Sequence, residues 1–354
     1  MVLMGRKVRL KGMLLAQESI NYFSYEGVIS LVRRVVLVTF GIELLGGLLL
    51  SISFVPRYGL RGLYVGFFTA ISAFCNAGFD IIGNYKSLTE YNGDPIVIFT
   101  VAGLIIIGGL GFMVWKDLYE YRRNKNFLLH TKVVLVMTIC LILGGTIFFL
   151  AFEYNNPATM GGLSFFEKLN AAYFHSVVSR TAGFNSLPTN DMRDISKLGT
   201  VILMFIGAAP GSTGGGIKVT TFGVILLTII SQIKGSDDTI IFNKRVPHFV
   251  TNKALAITGL SGMLVIIVTI VLLAFESGPM INMINVLYEV TSAFGTVGLS
   301  TGITPSLTNI SKLFLIITMF LGRVGPVSFA FALTLKSRKN TTDIVYPEGK
   351  IMVG

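Results

Sequence analysis

Three copies of one short phrase constrain what this chain can become: Asn76-Ala77-Gly78-Phe79-Asp80, Thr181-Ala182-Gly183-Phe184-Asn185 and Thr296-Val297-Gly298-Leu299-Ser300. Each follows a mildly amphipathic run, at 64–74, 168–178 and 285–294. These runs have about half of the roughly 20 residues a helix needs to cross a bilayer, so they predict segments that enter the membrane and turn back. Glycine reaches backbone angles closed to other residues and lets carbonyls point where a side chain would block them. Non-helical backbone at membrane depth is tolerated only where it is buried in protein or lines a watery cavity. The economical expectation is a ring of such segments around one axis, their carbonyl oxygens replacing the water shell of a cation. Each short helix would aim its partly negative C-terminal end at the same ion. The alternative is three ordinary turns between spanning helices. One glycine-centred turn means little, whereas three in matching places mean more.

Composition agrees with a membrane setting. Of 354 residues, 52% are hydrophobic and 13% charged, and the mean hydropathy is +0.72, the balance of a multi-span protein. Apolar runs suited to full spans lie at 31–54, 96–118, 132–152, 198–233, 254–275 and 312–335, the fourth too long for one simple helix. Together with the short runs they predict an all-α membrane protein that repeats spanning helix, re-entrant helix with loop, spanning helix three times. The glycines Gly78, Gly183 and Gly298 are spaced by 105 and 115 residues, so the units have similar lengths. The expected division is an interfacial N-terminal segment over 1–30 and repeats over 31–125, 126–245 and 246–354. The charged N-terminal stretch, with Arg6, Lys7, Arg9 and Lys11, does not read as a cleavable signal peptide, because no clean apolar core with a cleavage site follows. Two cysteines, Cys75 and Cys140, offer neither a disulfide framework nor metal-ligand spacing.

The net charge of +11 raises nucleic-acid binding, but its placement argues against it. Lys116, Arg122, Arg123, Lys125 and Lys132 lie between the first two units. Lys234, Lys244, Arg245 and Lys253 lie between the next two, and Lys336, Arg338 and Lys339 follow the last helix. The loops around the glycine phrases are poorer in lysine and arginine. By the positive-inside rule both termini are cytoplasmic and the phrases are reached from outside.

The second helix of every unit is interrupted: at Gly108-Gly109-Leu110-Gly111, at Gly207-Ala208-Ala209-Pro210-Gly211-Ser212-Thr213-Gly214-Gly215-Gly216, and at Gly322-Arg323-Val324-Gly325-Pro326. Five glycines and a proline among ten residues leave no regular helix in the middle unit. An irregular intramembrane loop below the glycine phrases is therefore expected, and its place beside a cavity makes it a candidate gate. A flexible packing kink is the plainer alternative, and close helix packing also explains the shorter glycine clusters. Arg323, among apolar residues at membrane depth, is expected to face a cavity or a partner, to snorkel, or to pair with a carboxylate such as Glu43. Glu43 reads as a structural hydrogen-bonding group, Lys218 as an anchor or counter-charge for the loop, and His175 as packed. A phosphate-binding loop fails because Ile217 intrudes before Lys218. An intramembrane serine protease built on Ser212 lacks a histidine on a neighbouring helix, so the expectation is a protein that is not an enzyme.

Repeated helix–pore segment–helix units, one glycine per phrase, a glycine-rich break in one second helix and an arginine in the last helix together resemble the Trk/Ktr/HKT superfamily of potassium transporters. The strings 179–186 (SRTAGFNS), 292–299 (SAFGTVGL) and 216–222 (GIKVTTF) look most like its KtrB-type membrane subunits. The resemblance runs from the first residue to the tail Tyr346-Pro347-Glu348-Gly349. It implies potassium uptake across the cell membrane, with Asn76, Ala77, Gly78, Phe79, Thr181, Ala182, Gly183, Phe184, Thr296, Val297, Gly298 and Leu299 lining a filter. It also implies a gate made of Gly207, Pro210, Gly211, Ser212, Thr213, Gly214, Gly215, Gly216 and Lys218, with Arg323 as an electrostatic barrier. Implied partners are a second copy in a homodimer, the lipid bilayer and a separate cytoplasmic nucleotide-binding ring. No covalent cofactor is implied. Potassium is the substrate, with sodium a candidate coupling ion. The family has four units where this sequence has three, matching the second, third and fourth. A truncated, non-conducting or regulatory subunit is therefore the main rival reading, and a sodium-preferring transporter a lesser one.

Overall fold

The computed structural model describes residues 28–83, 87–236 and 238–325. The expected interfacial segment over 1–30 lies almost wholly outside them, as do the end of the 312–335 run and the basic and Tyr346–Gly349 tail. The described residues contain eleven α-helices: α1 (Val28–Tyr58), α2 (Arg61–Phe74), α3 (Pro95–Gly109), α4 (Phe112–Asn124), α5 (Leu129–Glu153), α6 (Phe165–Val178), α7 (Asp194–Phe205), α8 (Val219–Ile233), α9 (His248–Phe275), α10 (Met283–Gly295) and α11 (Asn309–Val324). A two-residue hairpin, β1 (Ile240–Ile241) with β2 (Lys244–Arg245), joins α8 to α9.

The helices can be taken by the three stretches the sequence marks out, 31–125, 126–245 and 246–354. Each opens with a helix long and apolar enough to span: 24 residues from Val35 in α1, 25 in α5 and 28 in α9. Each continues into a short helix of 14, 14 or 13 residues, namely α2, α6 and α10. At 1.5 Å per residue these reach only about 20 Å of the roughly 30 Å hydrocarbon core. Local chemistry fixes their starts. Ser164 and Glu167 form a reciprocal capping box at α6, and Asn282 Oδ1 accepts the Asn285 amide at α10.

The second helices depart from simple spans. The 96–118 run is not one straight helix: α3 and α4 meet at 93°. Gly111 causes this by taking φ +86° between them, a conformation other residues avoid. The 198–233 run is split into α7 and α8 by the irregular stretch 206–218, and α11 ends at Gly325 with φ +92°.

Packing passes from unit to unit in one direction. The second helix of the first unit, α3, packs on the short helix α6 of the second, and α7 of the second unit packs on α10 of the third. Among the described residues no helix gives α2 the equivalent cover, and the difference shows in exposure. Ile71 on α2 is 48% exposed, whereas the matching Ser176 and Thr291 are buried.

Buried carboxylates brace the loops. Glu153, at the end of α5, accepts hydrogen bonds from Asn156 Nδ2 at 2.6 Å, Thr159 Oγ1 at 2.6 Å and the Arg193 amide at 2.9 Å. Glu153→Ala leaves three donors without their acceptor and is expected to destabilise the fold by about 2–3 kcal/mol, read as a lower Tm of the detergent-solubilised protein.

Candidate functional site

The three glycine phrases share one backbone pattern. Asn76, Thr181 and Thr296 take φ +50°, +74° and +51°, and Gly78, Gly183 and Gly298 take +69°, +77° and +95°. The residue between each pair keeps an ordinary negative φ. Alternating positive and negative φ is a pattern that neither a helix nor a sheet has. The left-handed position costs a side-chain-bearing residue about 1–2 kcal/mol, and threonine is an outlier there. Strain of this kind persists only where the surroundings over-determine it.

Those surroundings are the other phrases. Asn76 Nδ2 donates to Thr181 Oγ1 at 3.3 Å. A Cβ on Gly78 would stand 2.5 Å from the Ala182 carbonyl oxygen, and one on Gly183 would collide with the Val297 carbonyl. Glycine is required here for close approach as well as for φ. The phrases are therefore brought together, with the second between the first and third. Phe184 and Leu299 are buried, whereas the matching Phe79 is 70% exposed, on the same open side as Ile71.

Directly against this cluster lies the stretch 206–218. Its two ends are zipped by an Ile206–Ile217 bridge, and the Gly207 amide donates to the Ile217 carbonyl at 2.7 Å. The loop is tied to the first unit through the Ala209 amide on the Gly109 carbonyl (3.0 Å) and the Phe112 amide on the Gly211 carbonyl (3.1 Å). Its crest reaches all three units: Thr213 Oγ1 donates to the Phe74 carbonyl at 3.2 Å, and Cβ atoms on Gly214 and Gly215 would run into Thr181 Oγ1 and Thr296 Oγ1. Ser212 Oγ closes a local turn on the Ala209 carbonyl at 2.5 Å. The irregular backbone also borders space. Pro210 and Lys218 line a cavity of about 510 Å³, and Ile206 and Ile217 line another of about 290 Å³.

Two cations grip adjacent carbonyls of the crest. Arg323 Nη1 donates to Thr213 O at 2.6 Å, and Lys218 Nζ to Gly214 O at 2.7 Å. Arg323 thus binds the loop, while Glu43 takes a thiol hydrogen bond from Cys75 (Sγ to Oε1, 3.8 Å). The partly buried Lys218 bond is worth about 1.5–3 kcal/mol, and the bond from the exposed Arg323 less, because solvent screens it. His175 is fully buried, edge-on to Phe149, with Nε2 3.1 Å from Thr200 Oγ1. Among the buried charges that sequence reasoning missed are Arg180 beside Thr181 and Glu289 on α10. Both carried the signal that flagged Glu43, a charge inside a membrane-embedded run.

Comparison with known proteins bears on what this architecture is. The family model described as TrkH, cation transport protein, matches residues 4–342. The chain belongs to this family. TrkH-family proteins are membrane ion transporters rather than enzymes, in keeping with the apolar, multi-span architecture. Among curated relatives, the Ktr system potassium uptake protein B of Bacillus subtilis is 42% identical over 100% of this chain and 78% of its own length. The potassium/sodium uptake protein NtpJ of Enterococcus hirae is 37% identical over 99% of this chain and 77% of its own length. The crystal structure of the potassium transporter TrkH from Vibrio parahaemolyticus superposes with a TM-score of 0.72 at 14% identity, covering 92% of this chain and 68% of that one, a likeness of fold.

Proposed function

We propose that the chain is the ion-conducting membrane subunit of a potassium uptake system in the cell membrane. Dehydrated potassium passes along the carbonyls of Asn76 to Phe79, Thr181 to Phe184 and Thr296 to Leu299. The observation that carries this reading is the repeated backbone of three phrases, positive φ at the first and third residues and negative φ between them, with the second phrase packed against both the first and the third. Such backbone is costly, and a ring of oxygens that replaces a hydration shell is the use that accounts for it. The names of the relatives point to the same ion, and NtpJ's name admits sodium as a second or coupling cation.

In this proposal, the loop 207–216 is the gate and its crest closes the pathway beneath the filter. Arg323 and Lys218 hold it there and place positive charge in the way of a cation. Opening requires the crest to leave Thr181 and Thr296, and the flanking cavities offer room for that movement. Both termini and the hairpin face the cytoplasm, as the basic loops suggest. The word "system" in the relatives' names favours a separate regulatory partner, which we read as a cytoplasmic nucleotide-binding ring beneath a homodimer. The open side beside Phe79 and Ile71 is where a fourth helix–pore–helix unit would complete the ring.

The test is growth of cells stripped of their own potassium uptake systems at limiting potassium. Expression of the full-length protein with a cognate regulator is expected to restore growth. Failure to do so with the protein present in the membrane would favour the non-conducting, regulatory reading.

A further inference from the structure

We propose that Glu289 is a specificity-positioning residue, a strap that fixes the last glycine phrase and thereby sets discrimination between potassium and sodium. The inference rests on the filter reading above and concerns one quadrant of it. Glu289 lies on α10 and is only 5% exposed. Its Oε1 accepts hydrogen bonds from Ser300 Oγ at 2.5 Å, the Thr301 amide at 2.9 Å and Thr301 Oγ1 at 3.3 Å, and its Oε2 accepts from Thr304 Oγ1 at 2.7 Å. Four donors converge on the one carboxylate, which without its charge would leave them poorly matched. Three of the four bonds fall on Oε1 and one on Oε2, so the group is held by protein at both oxygens and acts as a fixed strut.

Ser300 follows Leu299, so the strap takes hold at the end of the phrase away from the loop. The same residue is gripped from the neighbouring unit, where Thr189 Oγ1 donates to the Ser300 carbonyl. The segment leaving the third filter phrase is thus pinned from its own pore helix and from the second unit. Other units are built differently: the positions matching Glu289 carry Thr69 and Phe174. Sodium is smaller than potassium, and carbonyls must draw closer to coordinate it. A strut that resists this movement penalises the smaller ion, whereas a relaxed phrase admits it.

The test compares initial uptake rates of potassium and sodium by the full-length protein in uptake-deficient cells, at matched membrane abundance. Glu289→Gln keeps the shape and can still accept the Thr301 amide, but it removes the charge and puts an amide NH2 on a hydroxyl that now has to accept, and is expected to lower the potassium-to-sodium ratio about tenfold, the loss of one charge-assisted bond's worth of positioning. Glu289→Asp keeps the charge and is expected to recover part of the ratio. Glu153→Gln is the control for structure alone. It loosens a comparable buried brace that touches no filter phrase, and is expected to lower abundance while leaving the ratio unchanged. If Glu289→Gln does not reach the membrane, Ser300→Ala and Thr304→Val each remove one donor and are expected to shift the ratio in the same direction. A wild-type ratio in whichever of these variants reach the membrane overturns the assignment. A wild-type protein that moves no potassium overturns the filter reading itself, and this inference with it.

Discussion

Gly183→Ala is expected to abolish potassium uptake, lowering the initial rate at least about a hundredfold, the cost of misplacing a coordinating group by about 1 Å. Two independent costs fall on this residue. At φ +77° a side chain is disfavoured by about 1–2 kcal/mol. In addition, the new Cβ would collide with the Val297 carbonyl, which is backbone and cannot step aside without moving the third phrase. The three filter glycines should therefore rank. Gly78→Ala meets the Ala182 carbonyl at 2.5 Å and is expected to be nearly as severe. At Gly298 the nearest atom would be Gly183 Cα at 3.8 Å, leaving only the cost of φ +95°, so Gly298→Ala should be the mildest. Rubidium tracer uptake with quantified membrane abundance checks the order. Equal effects at all three would mean that crowding between the phrases is not what glycine serves.

Freeing the loop should act in the opposite direction. Arg323→Ala removes a cation that holds the Thr213 carbonyl and stands beside the path. At about 6 Å and an effective dielectric constant near 20, a guanidinium repels a monovalent cation by about 3 kcal/mol. Arg323 is exposed, so solvent screens part of this, and a flux increase of about tenfold is the expected result. Deleting 211–215 removes the crest and the anchor points of both Arg323 and Lys218. It is expected to raise flux at least as much and to make it insensitive to the regulatory partner. Unchanged flux and regulation after the deletion would show that the loop is a packing element.

Much of this architecture was legible in the sequence because glycine phrases and apolar run lengths are local properties. The short runs expected at 64–74, 168–178 and 285–294 became helices that start up to three residues earlier and end within one residue of the expected place. Gly78, Gly183 and Gly298 could be singled out because repetition distinguishes a required glycine from a tolerated one. The broken middle helix was equally plain, since no helix survives 207–216. What could not be read depends on contacts between distant segments. The 93° turn at Gly111 follows from docking on the loop, where the Pro210 carbonyl leaves no room for a Cβ. The left-handed turns at Thr181 and Thr296 are unexpected for a β-branched residue, whereas Asn76 is of a type that takes this conformation readily, and neither threonine signals it in the sequence. Arg323 had several candidate partners, and only the fold shows that it grips the Thr213 carbonyl. Glu289 finds its donors eleven to fifteen residues along the chain, on the far side of the glycine phrase.

Reconstitution of the purified full-length protein into liposomes with an outward potassium gradient tests the central claim most directly, with ion efflux followed by a pH-sensitive dye in the presence of a protonophore. Wild-type vesicles are expected to release potassium far faster than protein-free ones, with sodium moving more slowly under the same gradient. Gly183→Ala vesicles are expected to behave as empty. Efflux no faster than from protein-free vesicles, or efflux indifferent to Gly183→Ala, would contradict a filter built from these three phrases.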